Sequence, residues 1–299
     1  MFKKIVIGYD GSDQARDALA LGRLMADVTG AELIAAGVWE QLGDLPRIAF
    51  GRWQEYAREQ ARDVAAKAGD DVRAEAVEST SPARGLHDLA EDEDADLIVV
   101  GSSHRGRVGK ALAGTVGVSL PHGSPCPVAV APSGFRDAEP RLDVIGVGYD
   151  GEAEADLALA GAVELARANG ASLRILTVAR PPESGFEGKG YIQAGREELA
   201  KAIWEQMQSA LDRAVASVPA EVETSGVLIT DSYEVLGDQD GIDLMMLGSR
   251  GYGTAERVLL GSNAARLLRS APCPAIVFPR GAKAPTAAET SQVTAGADR

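Results

Sequence analysis

The sequence predicts an α/β protein of two tandem, doubly wound, five-stranded parallel-sheet domains. Three observations carry that prediction. The chain repeats itself: Ile5-Val6-Ile7-Gly8-Tyr9-Asp10-Gly11 returns 140 residues later as Ile145-Gly146-Val147-Gly148-Tyr149-Asp150-Gly151. Short β-rich apolar runs alternate with stretches of helical apolar periodicity, which means parallel strands joined by crossover helices. Each half also carries a glycine-rich loop after a buried-looking run. The first is Gly101-Ser102-Ser103-His104 with Gly114-Thr115, the second Gly248-Ser249-Arg250-Gly251 with Gly261-Ser262, and the outer glycines are 13 residues apart in both.

Each half opens on the repeated strand, which ends at Asp-Gly. Ala15, Ala18, Leu19, Gly22, Met25 and Ala26, and at the same offset Ala155, Ala158, Leu159, Ala162, Leu165 and Ala166, keep one face small or apolar, the pattern of an amphipathic helix. Ser12 and Asp13 suit the first helix start, and Gly30 and Gly170 stand where a C-terminal glycine belongs. Second strands follow at Leu33–Val38 and Leu173–Val178. Residues 39–56 and 179–197 read as loops leading into long polar helices, Trp53–Ala68 and Glu197–Ser217, with Trp53 and Trp204 expected on the inner faces. Third strands are expected near Val72–Val77 and Val222–Leu228. The next helix is full at Pro82–Glu93 and stunted at Asp231–Gly241. Fourth strands, Leu97–Val100 and Ile242–Leu247, lead into the glycine loops, and a helix opens at Asn263–Arg269. Cys126–Pro132 and Cys273–Pro279 are the fifth strands. The expected domains are 1–134 and 142–281, with a polar linker at 135–141. A disordered tail is expected at 282–299, where Pro, Thr and Ala show no apolar periodicity.

Bulk properties narrow the function. The 299 residues carry a net charge of −14, which argues against a general nucleic-acid or anionic-membrane surface but leaves room for a small basic pocket. No apolar run is long enough to span a bilayer, and Met1-Phe2-Lys3-Lys4-Ile5 enters a strand without a signal-peptide pattern. Two cysteines at equivalent places do not form a disulfide framework, so a reducing, cytoplasmic setting is expected. His87, His104 and His122 form no zinc pattern, and no C-x-x-C is present.

The glycine loops point to a phosphate. Between a strand and a helix N-terminus, free backbone N–H groups and the helix dipole favour an anion, and Gly251 lets the main chain approach it. Ser262 adds a hydroxyl donor. In a parallel sheet, ligands bind at the carboxyl ends of the strands, near the reversal of strand order. Asp10 and Val38, or Asp150 and Val178, stand at those ends. The carboxylate can accept from an exocyclic amino group or ribose hydroxyls, and the valine can pack on a base. The competing reading gives the aspartates a turn-capping role.

The chain resembles a tandem universal stress protein. The second half carries that family's ATP-binding pattern, Gly-x2-Gly-x9-Gly-(Ser/Thr), as Gly248, Gly251, Gly261 and Ser262. The resemblance implies that Asp10 and Val38, and Asp150 and Val178, meet adenosine, while Thr115 and Val116, or Ser262 and Asn263, meet phosphate. The candidate nucleotide site in half one is Gly8, Tyr9, Asp10, Val38, Val100, Gly101, Ser103, His104, Arg105, Gly114, Thr115 and Val116. In half two it is Gly148, Tyr149, Asp150, Val178, Leu247, Gly248, Arg250, Gly251, Gly261, Ser262 and Asn263. His104 breaks the pattern where half two has Gly251, although Arg105 keeps the loop basic, so ATP with Mg²⁺ is expected foremost in half two. The family's edge pairing implies that Val128–Ala131 meets Ala275–Phe278 within the chain as a pseudo-dimer. A further homodimer and unknown protein partners stay open.

Three alternatives fit less well. A Rossmann oxidoreductase would use Gly146-Val147-Gly148-Tyr149-Asp150-Gly151, but Val6 breaks the first copy and no acidic residue ends the second strand at Val178-Ala179-Arg180. A P-loop at Gly109-Lys110 fails at His104 and Ala111. A ligase or ATP pyrophosphatase finds no acid/base pair, nucleophile or carboxylate cage beside the loop. The expected role is nucleotide-dependent regulation of shape or partners, with at most slow ATP hydrolysis. A nucleotide-free scaffold is the alternative.

Overall fold

The computed structural model describes residues 2–40, 47–102, 116–117, 120–121, 123–179, 191–230, 241–249 and 273–281, with backbone alone at 40, 47–53 and 191–197. The first half runs β1 (Lys4–Gly8), α1 (Asp13–Thr29), β2 (Glu32–Glu40), α2 (Arg47–Ala66), β3 (Arg73–Ser79), α3 (Pro82–Asp92), β4 (Leu97–Gly101) and β5 (Val128–Ala131). The second runs β6 (Val144–Gly148), α4 (Ala153–Asn169), β7 (Ser172–Val178), α5 (Tyr191–Ser217), β8 (Thr224–Ile229), β9 (Leu244–Gly248) and β10 (Ala275–Phe278).

One ten-stranded sheet results, in the order β3-β2-β1-β4-β5-β10-β9-β6-β7-β8. Within each half every described pairing is parallel, as the crossover helices require. The same holds in half two. In the middle, β5 and β10 run antiparallel, with Val128 opposite Val277, Ala129 opposite Ile276 and Val130 opposite Ala275. Strand order reverses between β1 and β4, and again between β6 and β9.

The strands are apolar on both sides because both faces are covered. Ile5, Ile7, Leu97, Val99, Ile145, Val147, Leu244 and Met246 face a core shared with α1, α2, α4 and α5. Val6, Ile34, Ile98, Val100, Met245 and Leu247 face the other side, where α3 supplies Leu86 and Ala90. The helix signals act as expected. Ser12 Oγ accepts from the Ala15 amide at 3.2 Å, and Gly30 and Gly170 end α1 and α4 in the left-handed region at φ 72° and 71°.

Several expectations change. Helix α2 begins at Arg47 and α5 at Tyr191, each about one and a half turns before the tryptophan-led and glutamate-led starts expected. The residues between β2 and α2, and between β7 and α5, carried glycine and proline, which masked helical propensity in the polar residues that follow. Trp204 is not an inner-face residue: it is 45% exposed, because Ala210, Leu211 and Ala214 take the buried side of α5. The side chain of Trp53 lies outside the described residues. So do the second-half helix expected at Asp231–Gly241 apart from Gly241, the helix at Asn263–Arg269 and the tail at 282–299.

The stretch read as a polar linker is docked. Phe135–Asp137 forms a 3-10 turn, and Phe135 and Leu142 are 7% and 3% exposed in the shared core. Asp17 on α1, 2% exposed, accepts from the Gly134 amide at 2.9 Å and the Arg136 amide at 3.2 Å. Arg136 also donates to the Asp13 carbonyl at 2.7 Å. Spacing arguments miss this contact because its partners are more than a hundred residues apart.

Candidate functional site

The two switch points carry the same local construction. Tyr9 N–H donates to the Ala36 carbonyl at 2.9 Å, and Tyr149 N–H to Leu176 at 2.8 Å, so each first strand stays paired one residue beyond its glycine. The chain then turns at Gly11 and Gly151, whose φ of 78° and 83° is the left-handed region that favours glycine. Asp10 Oδ1 accepts from the Ser12 amide at 3.0 Å, and Asp150 Oδ1 from the Glu152 amide at 3.2 Å. Each aspartate therefore holds its own turn. That uses one carboxylate oxygen, and the side chains remain exposed at Asp10 and half-buried at Asp150.

Val38 and Val178 stand at the ends of β2 and β7, both half-buried beside the α3-side core. Val38 packs over α3: a Cβ on Gly85 would come within 2.8 Å of its Cγ1. Val100 and Leu247 are buried, at 4% and 7% exposure, below the loops. Gly8 leaves room for Leu86 and Val100, whose nearest atoms lie 3.1 and 3.3 Å from where its Cβ would stand, and a Cβ on Gly148 would overlap the Leu247 side chain.

The first loop glycine in each half has a structural reason of its own. A Cβ on Gly101 would overlap the carbonyl oxygen of Gln14, and a Cβ on Gly248 would stand 2.6 Å from the Glu154 carbonyl carbon and 2.7 Å from the Ala155 nitrogen. The strand end thus abuts the first turn of α1 or α4, too close for any side chain. Immediately after, Ser102 N–H donates to Ala131 at 2.9 Å and Ser249 N–H to Phe278 at 2.8 Å. Their hydroxyls, on residues 3% and 1% exposed, are buried and have no hydrogen-bond partner among the described residues. These two serines stand in the loop motifs but not among the candidate site residues; the signal that singles them out is the repeat itself, a Gly-Ser pair in both copies.

Val116 borders the α3-side core. Of the remaining loop candidates, Ser103, His104, Arg105, Gly114, Thr115, Arg250, Gly251, Gly261, Ser262 and Asn263 lie outside the described residues. The structure therefore brings together the adenosine-side candidates and the first loop glycine of each half, around each reversal of strand order.

The halves differ in their electrostatics. The Tyr149 hydroxyl donates to Asp156 Oδ1 at 2.7 Å. Burial, then that bond, pushes its pKa up to about 12, so it stays a neutral donor. The matching position to Asp156 in half one is Arg16. Burial also pushes the Cys273 thiol up to about 12, which makes it a poor nucleophile. Neither cysteine is in a disulfide, and the β5–β10 register sets them at opposite ends of that ladder. Among the described residues, no three His, Cys, Asp or Glu side chains gather as a metal site, and no helix is long and apolar enough to cross a membrane.

Comparison with known proteins points to one family. The model of the universal stress protein family matches residues 1–132 and again 142–279. A universal stress protein of Mycobacterium tuberculosis is 26% identical over 292 residues, spanning 92% of this chain and 99% of the relative. A second from that organism is 28% identical over 296 residues, spanning 91% and 96%. Among solved structures, a universal stress protein from Archaeoglobus fulgidus superposes with TM-score 0.59 at 20% identity, over 93% of this chain and 98% of that one. A functionally unknown protein from Pseudomonas aeruginosa gives TM-score 0.60 at 15% identity, over 94% and 93%. Those two likenesses concern the fold.

Proposed function

The chain belongs to the universal stress protein family, and from that premise we propose that it binds ATP, with Mg²⁺ brought by the triphosphate, at the switch points of its sheet. The observation that carries this reading is the repeated geometry there: an aspartate, a strand-end valine and a loop glycine against a helix N-terminus, once per half. Asp150 would accept from the adenosine through its carboxylate while Val178 packs on the base. Gly248, Gly251, Gly261, Ser262 and Asn263 would hold the phosphates. The buried Ser249 hydroxyl, without a hydrogen-bond partner among the described residues, would give the loop a spare donor. Asp10, Val38, Gly101 and Thr115 would do the same in half one, with His104 as the weak point. ATP binding would regulate conformation or partners in the cytoplasm. Hydrolysis, if it occurs, would be slow.

A second reading has its own observation. Asp10 and Asp150 each cap a turn, and Gly101 and Gly248 are each required by a neighbouring helix backbone, so these residues suit a scaffold without nucleotide. Calorimetric titration of nucleotide-stripped protein with ATP and Mg²⁺ separates the two, alongside Gly251→Glu. One site in the parent and none in the variant places binding in half two. Two sites and one mean that His104 is tolerated. No binding in the parent leaves the scaffold.

A further inference from the structure

Half one carries a cleft of about 510 Å³ beside α1, lined by neither Gly8 nor Gly101. Arg16, Arg23, Lys67 and Arg136 line it, against one acidic lining residue, Asp27. That clustering is unexpected in a chain with 30 basic and 44 acidic residues. Three of these cations have carboxylate partners. Arg16 and Arg136 share that of Asp13, at 2.8 and 3.0 Å, and Arg136 also lies 3.7 Å from Asp137. Asp17, 3.9 Å from Arg136, is occupied by two backbone amides. Arg23 pairs with Asp71 at 2.6 Å. Lys67 is exposed and has no ion pair among the described residues.

Tyr9 lines the same cleft. It is 4% exposed, and its hydroxyl has no hydrogen-bond partner among the described residues. Its counterpart Tyr149 spends its hydroxyl on Asp156, 140 residues beyond Arg16. Half one thus has a cation where half two has the carboxylate that satisfies the phenol, and leaves the Tyr9 hydroxyl to the cleft. Arg16 and Arg23 stand two helical turns apart, about 10 Å along α1, a spread that suits a ligand with more than one anionic group. Guanidinium forks favour phosphate oxygens.

We propose that the cleft formed by Tyr9, Arg16, Arg23, Lys67 and Arg136 binds a small oligophosphate. Because Arg136 belongs to the segment docked between the halves, occupancy would also tighten that segment on α1. The probe is inorganic tripolyphosphate, titrated calorimetrically into the full chain without ATP. Binding is expected at this cleft, with the affinity reduced about tenfold or more by Lys67→Glu and by Arg16→Glu. Tyr9→Phe should weaken it less, and Lys201→Glu, on α5, should leave it unchanged. Thermal melts of each variant report whether the fold is retained. No binding by the parent, or an isotherm unchanged by both Lys67→Glu and Arg16→Glu, overturns the proposal. Binding that these two leave intact but Gly251→Glu removes also overturns it, by placing the oligophosphate at the glycine loops. Failure of ATP to bind would leave the Lys67→Glu difference in place, so the two readings fail separately.

Discussion

At the scale of single residues, the loop glycines carry two demands at once. Gly248 was legible from spacing as a phosphate-loop residue, yet the structure gives it a prior obligation to the backbone of α4. Overpacking of that kind typically costs about 2 kcal/mol, so Gly248→Ala is expected to lower the melting temperature with or without nucleotide. A variant as stable as the parent would mean that β9 and α4 separate easily. Tyr149→Phe tests a different link. It removes the hydroxyl that donates to Asp156, and the hydrogen bond to a charged acceptor is worth about 2 kcal/mol. The phenol's pKa is raised to about 12, so its hydroxyl stays protonated at neutral pH, and the loss should be constant from pH 6 to 9 in denaturant titrations.

At the scale of elements, strands and first helices could be read from the sequence because their signals are local. Two-sided apolar runs, the Ser12 cap and the Gly30 and Gly170 stops each lie within a few residues of what they specify. The starts of α2 and α5 and the exposure of Trp204 could not, since which face of a polar helix is buried depends on the sheet it meets. Asp17 is the plainest case. An aspartate in mid-helix looks solvated, and only the docked turn at 134–136 explains its burial. Asp17→Asn leaves one acceptor where two amides point, and is expected to cost about 2 kcal/mol and to speed proteolysis within 133–142; unchanged cleavage would mean that Phe135 alone holds the turn. Glu93, at the end of α3, ties β1 to β3 through Lys4 at 2.8 Å and Arg73 at 2.7 Å. Those hydrogen bonds, Arg73 first, hold its pKa at about 2, below its ordinary 4.5. Its contribution is therefore complete above pH 4.5 and is lost as pH falls toward 2. Glu93→Gln should cost about 1 kcal/mol at neutral pH, with the gap to the parent closing over that acidic window. A gap independent of pH would assign the loss to packing.

At the scale of the whole molecule, the repeat made two domains legible, but only the structure supplies the register in which they join. Val128, Ala129, Val130 and Ala131 are at most 1% exposed because β10 and the helices cover them. Without residues 142–281, β5 becomes an apolar edge with unpaired N–H and C=O groups, the template on which strands add. The strand that covers it, Ala275-Ile276-Val277, matches Val128-Ala129-Val130 in size and character, so a second copy of β5 can take its place antiparallel. Residues 1–141 produced alone should therefore run as a dimer in light scattering at micromolar concentration, and should mix with separately produced 142–281 into a one-to-one pair. A folded, strictly monomeric 1–141 would show that the β5 edge does not drive assembly, and would shift the burden of joining the halves to α1, α4 and the docked segment held by Asp17.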